Sequence, residues 1–130
     1  MTGYRRENVR TIKAALLALL TMTLLAGHAH AQSFDCAKAK QPDEKAICAD
    51  RALADQDVRM ATLWWVMEKA PMMMGARGAA RDAQRAFLKE RTACAADKAC
   101  IAKAYGARID ALEQAVEGQM QDYCKAIQLC

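Results

Sequence analysis

Residues 34–50, FDCAKAKQPDEKAICAD, decide how the chain is read. Two cysteines, Cys36 and Cys48, bracket a short charged segment. Pro42 followed by Asp43 and Glu44 is a helix start, with φ preset by the ring and acidic side chains set against the positive helix end. A short helix through Ile47 and Cys48 follows. Cys36 and Cys48 are then metal ligands, a redox pair or a staple across that helix, and the rest of the chain decides among these.

The compartment comes from residues 1–31. Arg5, Arg6, Arg10 and Lys13 form a basic head, Ala14–Ala26 carries no charge, and Ala29 and Ala31 occupy the small-residue positions of a cleavage site. That order predicts a secretory signal peptide over 1–31, cut after Ala31, and a mature chain over 32–130. The apolar run is shorter than the roughly 20 residues of a spanning helix, so no membrane span is expected after cleavage. The predicted location is the periplasm or the medium outside the cell.

Cleavage changes the composition. The whole chain is at +4, with 19 Lys and Arg against 15 Asp and Glu; without the four basic leader residues and Glu7, 15 face 14. A near-neutral exported domain carries no nucleic-acid footprint. Both histidines, His28 and His30, leave with the leader, and Ser33, Thr62 and Thr92 are the only hydroxyl side chains left besides tyrosine. No Ser-His-Asp or Cys-His centre and no histidine-containing zinc site can be assembled from that inventory. Asp55 with Asp57, or Glu113 with Glu117, are the remaining carboxylate pairs. Glu113 and Glu117 lie four apart on one helix face and read as solvated surface, whereas glycoside hydrolysis needs carboxyls facing each other across a cleft. The chain is therefore expected not to be an enzyme and to use no cofactor.

Six cysteines remain: Cys36, Cys48, Cys94, Cys100, Cys124 and Cys130. An even number in a small exported chain reads as a disulfide framework. Zinc held by thiolates prefers C-x2-C knuckles, and the close pairs here are C-x5-C. Fifteen pairings are open in principle; the local set Cys36–Cys48, Cys94–Cys100 and Cys124–Cys130 is the one expected. Residues six apart do not share a helix face, so the last bond requires a bend in the tail.

Abundant alanine with scarce glycine and proline predicts an all-α, disulfide-stapled bundle of one short and three longer helices in a single domain. Asp50 caps a helix from Arg51 to about Ala70, ended by Pro71, with Leu53, Met60, Trp64 and Met67 as its apolar stripe. Asp57 lies within that stripe and is expected to pair with an arginine of a neighbouring helix, Arg85 or Arg91, because buried charges are usually paired. PMMMGARG, residues 71–78, reads as the break. The next helix covers Ala79 to about Thr92 with Ala80, Ala83, Phe87 and Cys94 inward. After a turn at Ala95-Ala96-Asp97 the last helix follows, its stripe Ile101, Tyr105, Ile109, Leu112 and Val116, ending at Gly118. Met72, Met73 and Met74 with Arg77 form the candidate partner-binding surface, since methionine suits adaptable contacts.

Cys36–Asp50 closely resembles the opening motif of the N-terminal domain of LprI-like lysozyme inhibitors. Leu53 and Asp57 resemble that domain's spaced Leu and Asp. Residues 83–94, AQRAFLKERTAC, resemble its Q-R-x-W-L-x-x-R-x-x-C segment. Cys100-Ile101 and Tyr105–Ile109 resemble its closing C-L and Y-x-x-R-I elements. Phe87 stands where the family usually has Trp, Trp64 where Tyr is common, and Cys124 and Cys130 lie beyond the shared pattern. The resemblance spans about Phe34 to Leu112. It implies a small exported helical protein of bacteria that binds and inhibits lysozyme-type peptidoglycan hydrolases; the alternative is a non-catalytic periplasmic module, an immunity or envelope-stress factor, that binds another envelope protein. An inhibitor would insert a basic side chain between the two carboxylates of a lysozyme cleft, and Arg77, by its place on the methionine loop, is the side chain expected to do so.

Overall fold

The computed structural model describes residues 33–128. The expected signal peptide over 1–31 lies outside that range, as does Cys130 of the expected Cys124–Cys130 pair. All regular structure among the described residues is helical: a 3-10 turn at Cys36–Lys38, then α1 (Pro42–Cys48), α2 (Arg51–Lys69), α3 (Met74–Ala93) and α4 (Lys98–Ala126). The expected one short and three longer helices are all there. No described helix is long and apolar enough to cross a membrane.

Local chemistry sets the helix starts. Glu44 reaches back to accept from the backbone N–H of Gln41 at 3.0 Å and Lys40 at 2.8 Å. These two bonds hold its carboxyl below the usual range. Asp50 caps α2, accepting from the N–H of Ala52 at 3.0 Å and Leu53 at 3.2 Å. Its other oxygen takes Lys98 Nζ at 2.9 Å, and that bond is the main reason its carboxyl also sits below the usual range. Asp97 caps α4 in the same way, through Ala99 and Cys100. Between α3 and α4 the chain turns at Ala95, which takes the left-handed conformation (φ 50°) at the position where helices usually place glycine.

Two disulfides close the loops. Cys36–Cys48 ties the 3-10 turn to the end of α1, and Cys94–Cys100 spans the α3–α4 turn. Short connections make consecutive long helices antiparallel, so α2 and α4 run in the same direction and share the largest interface. Cross-links mark their register: Lys98 to Asp50 at the near end, then Arg59 Nε to Glu113 at 3.0 Å further along. The core is Ile47 from α1, Leu53, Met60 and Met67 from α2, Phe87 from α3, and Ile101, Tyr105, Ile109 and Leu112 from α4. Phe87 and Tyr105 meet as a tilted ring pair, centroids 5.3 Å apart.

Two helix bounds differ from the expectation. α3 starts at Met74 rather than Ala79, so Gly75 and Gly78 are helical, and α4 runs through Gly118 to Ala126. A helical glycine costs about 1 kcal/mol against alanine, which neighbouring alanines and packing outweigh here; none of these glycines has positive φ. Ala83 is exposed, and Gln84 is the buried residue of that turn. Its amide bridges Met60 Sδ (3.4 Å) and Arg108 Nε (2.9 Å), so a polar side chain fills the place expected for alanine. The tail does bend: α4 ends at Ala126, and Gln128 has φ 55°.

Candidate functional site

Two features stand out, one inside the bundle and one at its end. Inside, a chain of polar groups crosses all four helices. Arg91 Nε donates to Asp43 Oδ2 at 2.8 Å, Arg91 Nη1 donates to the Tyr105 hydroxyl at 3.2 Å, and that hydroxyl donates to Asp57 Oδ1 at 2.9 Å. The backbone N–H and hydroxyl of Ser33 complete Asp57, at 2.6 and 3.0 Å. Asp43, Asp57 and Tyr105 are fully buried. Burial disfavours tyrosinate, and the Asp57 carboxylate adds to this, so the Tyr105 hydroxyl is held well above its ordinary pKa. Burial by itself would weaken the charge on Arg91, but Tyr105 and Asp43 more than offset it.

The expected pairing of Asp57 with Arg85 or Arg91 is therefore corrected. Arg91 is committed to Asp43 and reaches Asp57 only through Tyr105. Arg85 lies on the solvent face of α3, paired with Asp82 one turn away. Neither oxygen of Asp57 opens to a cleft. Asp55 is exposed beside Arg51, and Glu113 is held by Arg59. No described cluster of three or more His, Cys, Asp or Glu side chains could hold a metal ion.

The end of the bundle is different. The last turns of α2, the Pro71–Met73 loop, the start of α3 and the far half of α4 enclose an open groove of about 750 Å³. Its walls are apolar: Trp65 and Met67 from α2, Met72 and Met73 from the loop, Met120 and Tyr123 from α4. Trp65 is 60% exposed, Met73 86%, Met120 63% and Tyr123 57%. Large side chains that a core would take up are here left in solvent. α4, at 29 residues, is about 43 Å long against about 28 Å for α2, so its far end extends past α2 and leaves Met120 and Tyr123 exposed among the described residues.

The methionine loop named from sequence is divided by the fold. Met72 packs against the core, Met73 lies on the groove, and Met74 opens α3 at 90% exposure. Arg77 is not a free finger. Its Nη1 donates to the Glu68 carbonyl at 3.0 Å and its Nη2 to the Ala70 carbonyl at 3.2 Å, closing the end of α2. Inserting it into an enzyme cleft would uncap that helix. Trp65, Met120 and Tyr123 were missed by sequence reading. The available signal was the amphipathic tail, whose apolar residues needed a place against the end of α2. The chain matches no family model, no curated protein and no solved structure.

Proposed function

We propose that this chain is an exported, non-catalytic binding protein that docks an apolar segment of another envelope protein in the methionine-lined groove. A lysozyme-type hydrolase is the first partner to test, on the strength of the resemblance to LprI-like inhibitors. The observation that carries the reading is the groove itself. Exposed tryptophan and tyrosine are the residue types that dominate binding energy at interfaces, and unbranched methionine adapts to the shape of a partner. Inhibition would then come from covering a hydrolase surface rather than from inserting an arginine, because Arg77 holds α2 closed. A near-neutral domain gains little steering toward a cationic lysozyme, so the affinity rests on apolar burial.

The test is titration of the oxidised, processed protein into a cell-wall turbidity assay with chicken-, goose- and invertebrate-type lysozymes. Inhibition that saturates near one equivalent and is lost in a Trp65→Ala/Tyr123→Ala variant supports the reading. No inhibition of any of the three removes the hydrolase as partner. Inhibition that survives the groove variant places the contact elsewhere.

A further inference from the structure

We infer that the groove closes on a second copy of this chain, in a two-fold dimer whose axis runs along the groove. The inference rests on reading the groove as a docking surface and adds what covers it before any other partner arrives. Three observations point to a second copy.

The first is area. Trp65, Met73, Met74, Met120, Tyr123 and Ile127 gather at this end with fractional exposures from 44 to 90%. At roughly 150–250 Å² for a large side chain they present on the order of 800 Å² of largely apolar surface. The largest apolar patch on a typical monomer is about 300–600 Å², while one side of a standard interface buries about 800 Å².

The second is shape. A two-fold interface must be complementary to itself. This end carries both a hollow, between α2 and α4, and a ridge, the last turns of α4 with Met120 and Tyr123.

The third is charge. Lys69 stands on the α2 wall and Asp122 on the α4 wall. Both are exposed, and neither belongs to any ion pair among the described residues. An axis along the groove sets α2 of one copy opposite α4 of the other. Lys69 of each copy then faces Asp122 of the other, twice per dimer. An axis across the groove would instead oppose like walls, and so like charges.

Sedimentation velocity on the oxidised, processed chain over a concentration series tests this. The wild type is expected to dimerise. Lys69→Glu sets two carboxylates against each other at both contacts, and Asp122→Lys sets two ammonium groups against each other there. Each variant alone should raise the dissociation constant by at least about tenfold, as like charges are brought together at an interface. Mixed in equal amounts, the two variants can pair as a heterodimer in which the glutamate introduced at position 69 of one copy faces the lysine introduced at position 122 of the other and Lys69 faces Asp122, so both contacts are of opposite charge and mixing should rescue the dimer. The double variant Lys69→Glu/Asp122→Lys restores opposite charges at both contacts and should dimerise again. Both positions are solvent-facing, so far-UV circular dichroism should be unchanged, and Met120→Asp provides an independent break on the apolar side. A wild type that stays monomeric overturns the proposal, and so do single swaps that leave the dimer intact or a double variant that stays dissociated. A monomer that inhibits a hydrolase through the groove sinks the dimer and keeps the binding function. A dimer that inhibits no hydrolase keeps the dimer and removes the hydrolase as partner.

Discussion

Replacing Arg91 with methionine keeps most of the side-chain volume and removes every donor. Arg91 is the cation among the buried groups Asp43, Asp57 and Tyr105 that link the four helices. Without it Asp43, fully buried, keeps only the Thr92 hydroxyl at 3.5 Å, and its Oδ1 has no hydrogen-bond partner to begin with. Removing one partner of a buried ion pair costs about 3–5 kcal/mol, because the other charge is left stranded. At roughly 0.05–0.15 kcal/mol per residue, the 96 described residues have about 5–14 kcal/mol in total. The substitution thus removes a large share of the stability. Urea unfolding followed by far-UV circular dichroism, with disulfides oxidised, should show the midpoint falling by about 2 M or more for an m-value of roughly 1–2 kcal/mol/M. Asp43→Asn on the Arg91→Met background neutralises the stranded charge and should recover about 1–3 kcal/mol. A loss below about 1 kcal/mol for Arg91→Met, or no recovery in the double variant, would refute the claim that a buried ion pair organises the core.

Further outcomes follow from other contacts. The raised pKa of Tyr105 gives stability that is fully present below its unfolded value near 10 and is lost as pH rises from there toward the folded value. With the phenol held neutral in the fold while the unfolded chain ionises, the wild-type advantage over Tyr105→Phe should therefore narrow in unfolding titrations above pH 10. Ala95→Gly relieves a left-handed alanine at φ 50° and should stabilise by about 0.5–1 kcal/mol in the same assay. Arg77→Met frees the Glu68 and Ala70 carbonyls and should cost about 1–2 kcal/mol, with faster hydrogen exchange confined to the last turn of α2. Replacing the Cys36–Cys48 pair by serines, which opens a separation of 12 residues, should cost about 3 kcal/mol against about 2 kcal/mol for Cys94–Cys100, separated by 6.

Features governed by neighbours in sequence were legible before the fold was seen. Pro42 and Asp50 act within one helical turn, and the two described disulfides close loops short enough to expect. The stripe Ile101, Tyr105, Ile109, Leu112 is a periodic signal that packing of a long helix reinforces. Features governed by distant residues were not legible. Asp43 reads as an ordinary first-turn acid, and nothing local shows that it faces Arg91, 48 residues on. A tyrosine between Arg91 and Asp57 is equally invisible, since a buried carboxylate seeks any strong donor and sequence favours the charged candidate. Glycine was read by propensity at positions 75, 78 and 118, where alanine-rich surroundings and tertiary contact decide the outcome. The methionine run was noticed, but a groove needs two walls, and its second wall lies at Met120 and Tyr123.

Several residues within the segments that carry the resemblance to LprI-like inhibitors lie inside the bundle. Leu53 and Asp57, Phe87 and Arg91, Cys94, Ile101, Tyr105 and Ile109 are all buried. They join helices, staple a turn or complete the polar chain. In this chain these buried residues serve the fold and none of them lines the groove. Most of the groove residues fall outside that pattern: Trp65, Met73, Met120 and Tyr123 can change without disturbing Arg91 or Tyr105. Fold and partner choice are therefore encoded in separate sets of residues, and shared spacing alone does not transfer a target from one chain to another. The identity of the partner is to be sought by varying the groove in a bundle whose core is left alone.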